Sequence, residues 1–121
     1  INMSVISDWY RGQTILVIGG TGFMGKVLVE KLLRSCSDVN RIYVLVRPKK
    51  NLTPSARIDE MLKLPIFESH KNNPEVLKKV IAVEGDSTEC ALGTKKDIMT
   101  QLISEVTIVL ILLLLFVWTL I

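Results

Sequence analysis

The stretch "VIGGTGFMGKVLVEKLL", Val17–Leu33, decides how the rest of the chain is read. An apolar segment runs into Gly19, Gly22 and Gly25, and an amphipathic helix follows directly. A turn of this kind needs positive φ at one position, and it needs no Cβ where the backbone nears a pyrophosphate. The helix beyond it offers free N–H groups and the positive end of its dipole. Glycine-rich turns also close strand–helix joints for packing reasons alone, so context decides. Here a strand precedes the turn, a helix follows it, and a second strand ends about twenty residues further on, as a dinucleotide-binding unit requires. Within the helix, Met24, Val27, Leu28, Leu32 and Leu33 are read as one inward stripe, and Glu30 stands four residues before Arg34 as an ion pair.

Working outward, apolar runs recur at "TILVI" (Thr14–Ile18), "IYVLV" (Ile42–Val46), "VIAV" (Val80–Val83) and from Val106 onward. Each is continuously apolar rather than alternating, which predicts strands buried on both faces of a parallel sheet. Thr53 and Pro54 predict the start of a helix with Ile58, Met61 and Leu62 facing in, ended by Pro65. Asn73 and Pro74 repeat that signal for a short helix, and Thr94–Asp97 resembles a capping box before "DIMTQLIS". The fold class is α/β: the N-terminal half of a Rossmann-like doubly wound parallel sheet with an apolar C-terminal tail. The chain divides into an N-terminal lead at 1–13, a partial NAD(P)-binding domain at 14–109 and an apolar tail at 110–121.

Composition narrows the classes. With 121 residues there is room for one modest core. The formal charge of +3 comes from scattered cations rather than a basic stripe, so nucleic acid is not the expected partner. Cys36, Cys90 and the single His70 have no metal-ligand spacing, so no metal is expected and both thiols are read as reduced. No secretory signal opens "INMSVISDWYRGQ", and the chain is not expected to be secreted.

At the end of the second strand, Arg47 stands where an NAD-binding unit usually carries an acid for the ribose 2′-hydroxyl. A guanidinium there matches a 2′-phosphate, with Lys49 and Lys50 adding to the field, and this favours NADP over NAD. After the third strand, "EGDS" offers Asp86 to the adenine amino group. A solvated basic loop and an acidic turn residue are the plain alternatives for these two.

The segments "DWYRGQTILVIGGTG", "GGTGFMGKVLVEKLLRSC", "IYVLVRPKK" and "VEGDSTECALG" together resemble the opening of alcohol-forming fatty acyl-CoA reductases, which belong to the extended short-chain dehydrogenase group. The likeness spans roughly Trp9 to Val109. It implies NADPH as cofactor and a long-chain fatty acyl-CoA as substrate of the full-length enzyme, reduced through aldehyde to primary alcohol. It also implies a membrane of the peroxisome or endoplasmic reticulum as the setting, on the cytosolic or peroxisomal side. By position, Gly19, Thr21, Gly22, Phe23, Met24 and Gly25 would line the pyrophosphate, Arg47 the 2′-phosphate and Asp86 the adenine.

The sequence also departs from that family. Ile18 replaces the threonine usual before the first glycine, and "LILLLLFVWTLI" replaces the small residues that usually follow the fourth strand. Catalysis in this group resembles general-acid chemistry by a Tyr with Lys four residues later. Tyr10 is followed at that distance by Thr14 and Tyr43 by Arg47, so the catalytic set here is empty. The expectation is an N-terminal, cofactor-binding portion, inactive alone. Val106–Ile121 carries no charge and falls short of the roughly twenty residues that span a bilayer. It reads as a membrane anchor, as a strand running into misread sequence, or as a buried helix. Two alternatives to the reductase portion stay open: a non-catalytic membrane-associated nucleotide-binding isoform, and a fragment of another extended dehydrogenase.

Overall fold

The computed structural model describes residues 3–19, 22–47, 51–86 and 88–112. Four parallel strands, β1 (Thr14–Ile18), β2 (Arg41–Val46), β3 (Val80–Glu84) and β4 (Ile108–Ile111), form one sheet in the order β3-β2-β1-β4. Ile15 lies beside Ile42 on one side and Ile108 on the other, and Ile42 beside Val80. The helices are α1 (Met3–Tyr10), α2 (Phe23–Ser35), α3 (Pro54–Leu62), α4 (Pro74–Leu77) and α5 (Lys96–Glu105), with 3-10 turns at Pro65–His70 and Cys90–Gly93. This is the α/β arrangement predicted, and the strand order is that of the first half of a doubly wound sheet.

The continuous apolar runs have a direct structural cause. Ile15, Val17, Ile42, Val44, Val46 and Val80 point to one face and pack beneath α2, α3, α4 and Phe67. Leu16, Ile18, Tyr43, Leu45 and Val83 point to the other, beneath Ile98 and Leu102 of α5. Helices on both faces leave β1 and β2 no solvated side, while Ile81 and Ala82 of the outer strand β3 are half-buried. The fourth strand differs from expectation: it starts at Ile108 rather than Val106, and Val109 and Ile111 on the α5 face are exposed, at 50% and 57%. Among the described residues, α5 reaches over β1, β2 and β3 but does not cover this strand. The N–H of Leu112 still donates to the carbonyl of Ile18, so pairing continues past the 109/110 division.

The stripe on α2 is also corrected. Gly25, Val29, Leu32 and Leu33 are buried, whereas Met24 and Val27 are exposed. Gly25, which has no side chain, lets the first turn lie directly against the strands, and this rotates its neighbours outward. Glu30 lies on the buried side too. Its carboxylate takes Arg34 Nε at 3.1 Å, the pair expected from spacing, and also meets His70 Nε2 at 2.9 Å. Two partners make its burial tolerable, and the His70 contact ties α2 to the turn Pro65–His70.

Thr53 caps α3 as read, its hydroxyl accepting from the Ala56 N–H. Ile58 and Met61 are buried and Leu62 half-buried. The capping box at Thr94 is not formed: the Thr94 hydroxyl donates to the Ala91 carbonyl, and α5 begins after Lys95 with no side-chain cap. The lead contains α1, whose Tyr10 packs on the core, and Gly12 (φ +73) turns the chain so that its N–H donates to the Asp38 carbonyl. Cys36 is buried and Cys90 exposed, both as free thiols. No helix among the described residues is long and apolar enough to cross a membrane. The tail from Leu113 onward, on which the anchor reading rests, lies outside the described residues.

Candidate functional site

In a parallel sheet all strands deliver their C-terminal ends to one edge. At that edge lie the glycine turn after β1, Arg47 after β2 and Gly85–Asp86 after β3. The crossover after β1 goes to one face and that before β4 to the other, so the glycine turn sits at the topological switch point, where open α/β sheets hold ligands.

The turn is built as follows. Gly19 has φ +89, a conformation that side chains other than glycine rarely adopt. Gly22 donates its N–H to the Gly19 carbonyl at 3.3 Å and then precedes α2 at φ −74, with no side-chain cap on the helix. The first α2 bond runs from the Lys26 N–H to the Gly22 carbonyl. The N–H groups of Phe23, Met24 and Gly25 therefore come before the helix's own ladder, and they face outward as donors for an anion. Among the described residues, a Cβ on Gly22 would meet only the Gly19 carbonyl, at an ordinary 3.6 Å. Packing among the described residues thus does not require glycine there, whereas close approach of a phosphate would. The residues fit a dinucleotide pyrophosphate. Thr21, assigned to the same cradle, lies outside the described residues, as do Lys49 and Lys50.

Arg47 and Asp86, read from sequence as serving the 2′-phosphate and the adenine, are in contact: Arg47 Nε lies 3.5 Å from Asp86 Oδ1. The same carboxylate oxygen accepts from the Thr88 N–H at 2.9 Å and the Thr88 hydroxyl at 2.7 Å. These two bonds, and then the neighbouring Arg47 charge, hold the Asp86 carboxyl below the usual carboxylate range. Behind Asp86, its N–H donates to the Leu92 carbonyl at 2.7 Å. That carbonyl belongs to a left-handed turn in which Ala91 and Leu92 have φ +52 and +59, a conformation costly for side chains of their kind.

Three residues of this edge escaped sequence reading. Arg57, from α3, donates to the Arg47 carbonyl at 2.5 Å and brings a second guanidinium to the end of β2. The Thr53–Pro54 start signal placed it one turn into α3, but spacing alone did not say which way it faced. Thr88 carries no motif. Gly85 is required by packing, since a Cβ would stand 2.4 Å from the Leu92 carbonyl oxygen and 2.6 Å from a Leu45 methyl. Neither tyrosine joins the site. The Tyr43 hydroxyl bonds Glu105 and accepts from Arg41 at the opposite end of the strands, and Tyr10 lies in α1. No cluster of three metal-ligating side chains occurs among the described residues.

A chain with this sheet order, a glycine turn at the switch point and a cation after β2 is a nucleotide-binding α/β domain. A family profile of NAD-binding domains described as male sterility protein matches residues 17–111. The chain belongs to that family.

Fatty acyl-CoA reductase 1 of Gallus gallus is 41% identical over 108 residues, which is 88% of this chain and 21% of that protein. The Homo sapiens fatty acyl-CoA reductases 1 and 2 are each 40% identical over the same share. This chain therefore spans about a fifth of the length of these relatives. Among solved structures, the terminal R domain of the myxalamid PKS-NRPS biosynthetic pathway superposes with TM-score 0.64 at 31% identity, over 84% of this chain and 24% of that one. The reductase domain of a nonribosomal peptide synthetase from Mycobacterium tuberculosis gives 0.68 at 23% identity, over 92% and 27%, and shares the fold. The resemblance read from the sequence is borne out, and a nicotinamide dinucleotide is the cofactor class this family binds.

Proposed function

We propose that this chain is the cofactor-binding portion of an NADPH-dependent, alcohol-forming fatty acyl-CoA reductase, whose substrate is a long-chain fatty acyl-CoA. The observation that carries the cofactor choice is Arg47 at the end of β2, with the Arg57 guanidinium fixed to its carbonyl. Two cations stand where an acid would select a free ribose hydroxyl, and a planar guanidinium matches a 2′-phosphate. The substrate class rests on the relatives named fatty acyl-CoA reductase. When bound, the cofactor supplies a hydride. The residues present here contribute binding and orientation: the N–H groups of Phe23, Met24 and Gly25 hold the pyrophosphate, Arg47 the 2′-phosphate, and Asp86 the adenine amino group through Oδ2.

Without a Tyr-x-x-x-Lys pair, this chain is assigned no proton transfer to substrate, and by itself it should bind NADPH weakly and reduce no acyl-CoA. For the whole protein we place the reaction at a peroxisomal or endoplasmic-reticulum membrane, a reading supported by the family resemblance and the apolar run from Val106. Titration of the purified chain with NADPH and NADH, repeated on Arg47→Asp, tests the cofactor assignment. NADPH should bind tighter, and the substitution should remove the difference. Equal binding of both cofactors, unchanged in the variant, would refute it.

A further inference from the structure

Arg47 is 65% exposed at its side chain, and a long exposed guanidinium must lose much rotamer freedom to grip a ligand. Its backbone is already held from two sides, by Arg57 on the Arg47 carbonyl and by the Gly85 N–H on the Val46 carbonyl at 3.1 Å. Only the side-chain torsions remain to be set, and Asp86 is the group that meets them. The contact is made at Nε, the inner side of the guanidinium. The outer edge, carrying both terminal nitrogens, has no hydrogen-bond partner among the described residues, and with the Nε side facing Asp86 it is the edge left to fork onto a phosphate.

We propose that Asp86 is a positioning residue for Arg47: by holding the inner side of its guanidinium it aims the outer edge at a ribose 2′-phosphate, and so sets the preference for the phosphorylated cofactor. This rests on the reading that the cofactor is NADPH. It differs from the adenine contact, which uses the other carboxylate oxygen and is common to phosphorylated and unphosphorylated cofactors alike.

Asp86 is itself well placed to act as a fixed point. Its Oδ1 is locked by both Thr88 donors, its N–H by the Leu92 carbonyl, and the glycine before it by close packing against Leu45 and Leu92. A carboxylate so constrained orients its mobile partner rather than following it. It also does not compete for the ligand's place, since carboxylate and phosphate would occupy different sides of one guanidinium.

The test is the ratio of NADP+ to NAD+ affinity, measured by calorimetry at one ionic strength for the chain and for Arg47→Ala, Asp86→Asn and the double variant. An adenine contact, or a general weakening of the fold, moves both affinities together and leaves the ratio alone. Asp86→Asn should lower the ratio about fivefold, the scale of one exposed ion pair. Arg47→Ala should lower it further, and the double variant should match Arg47→Ala. Thr88→Val, which keeps the charge but loosens its hold, should fall between the chain and Asp86→Asn, and it serves if Asp86→Asn does not fold. A ratio that Asp86→Asn leaves unchanged while Arg47→Ala lowers it overturns the proposal alone, as does a ratio that rises, which would make Asp86 a competitor. A chain with no preference between the cofactors, unaffected by Arg47→Ala, overturns the NADPH reading and this proposal with it.

Discussion

His70 Nε2 lies 2.9 Å from Glu30 Oε2, and both side chains are about nine-tenths buried. Removing the histidine leaves a carboxylate inside the core with only Arg34 for company. His70→Ala should therefore cost about 2–3 kcal/mol in urea unfolding, more than an exposed pair and less than a fully orphaned charge. His70→Gln, which keeps a donor, should recover part of that loss. Equal losses in both variants would show that packing, not the pair, matters at this position.

Gly22→Ala separates fold from function. Among the described residues the added Cβ would meet nothing closer than 3.6 Å, so thermal unfolding should change by less than about 1 kcal/mol, the range of N-cap effects. Dinucleotide binding should drop by more than tenfold, because the methyl would enter the space proposed for the pyrophosphate. Retained binding would mean that the ligand does not approach this turn.

Gly85→Ala should do the reverse in part, damaging the fold first. A Cβ 2.4 Å from the Leu92 oxygen forces backbone to move, and overpacking of this kind costs about 1–3 kcal/mol. The loop carrying Asp86 should shift with it. Amide chemical-shift changes centred on Asp86 and Leu92 are the expected signature, and changes confined to position 85 would contradict the crowding.

The Asp86 carboxyl should titrate below the ordinary aspartate range in carbon-detected NMR. Because its folded-state pKa is depressed, its contribution to stability is present above the ordinary carboxylate value and lost as pH falls through the lowered one. The largest cause is the Thr88 N–H, then the Thr88 hydroxyl, with Arg47 smaller. Thr88→Val should raise the value part of the way, since the N–H remains, and Arg47→Ala should raise it less. A larger rise from Arg47→Ala would reverse that order.

The residues legible in sequence were those whose neighbours in the chain decide their place. Strands β1 and β2 announced themselves because both their faces are buried, β3 because it packs into both clusters, and Thr53 because its cap partner is three residues away. The glycine turn was legible because its demands on φ and on space are local. Glu30 was read as one half of an ion pair because the helix shows Arg34 four residues on, while His70 comes from forty residues away. Met24 and Val27 looked inward until Gly25 set the rotation of α2. Thr94 looked like a cap, but its hydroxyl was already committed to a turn whose positive φ at Ala91 and Leu92 no composition signals. Arg47 and Asp86 were each identified at a strand end, but that they touch depends on the loop after β3 folding back.

The strand order β3-β2-β1-β4 also sets an order in time. The strand that leads into the glycine turn gains its second neighbour only through partners such as Thr14 and Thr107, 93 residues apart in the chain. Closing so long a loop is slow compared with forming the local β1–α2–β2 unit. During synthesis the turn proposed to receive the pyrophosphate is therefore made early, while one wall of the crevice beside it is supplied last. A dinucleotide present during folding would meet an open half-site first, and the docking of β4 would finish the crevice around it.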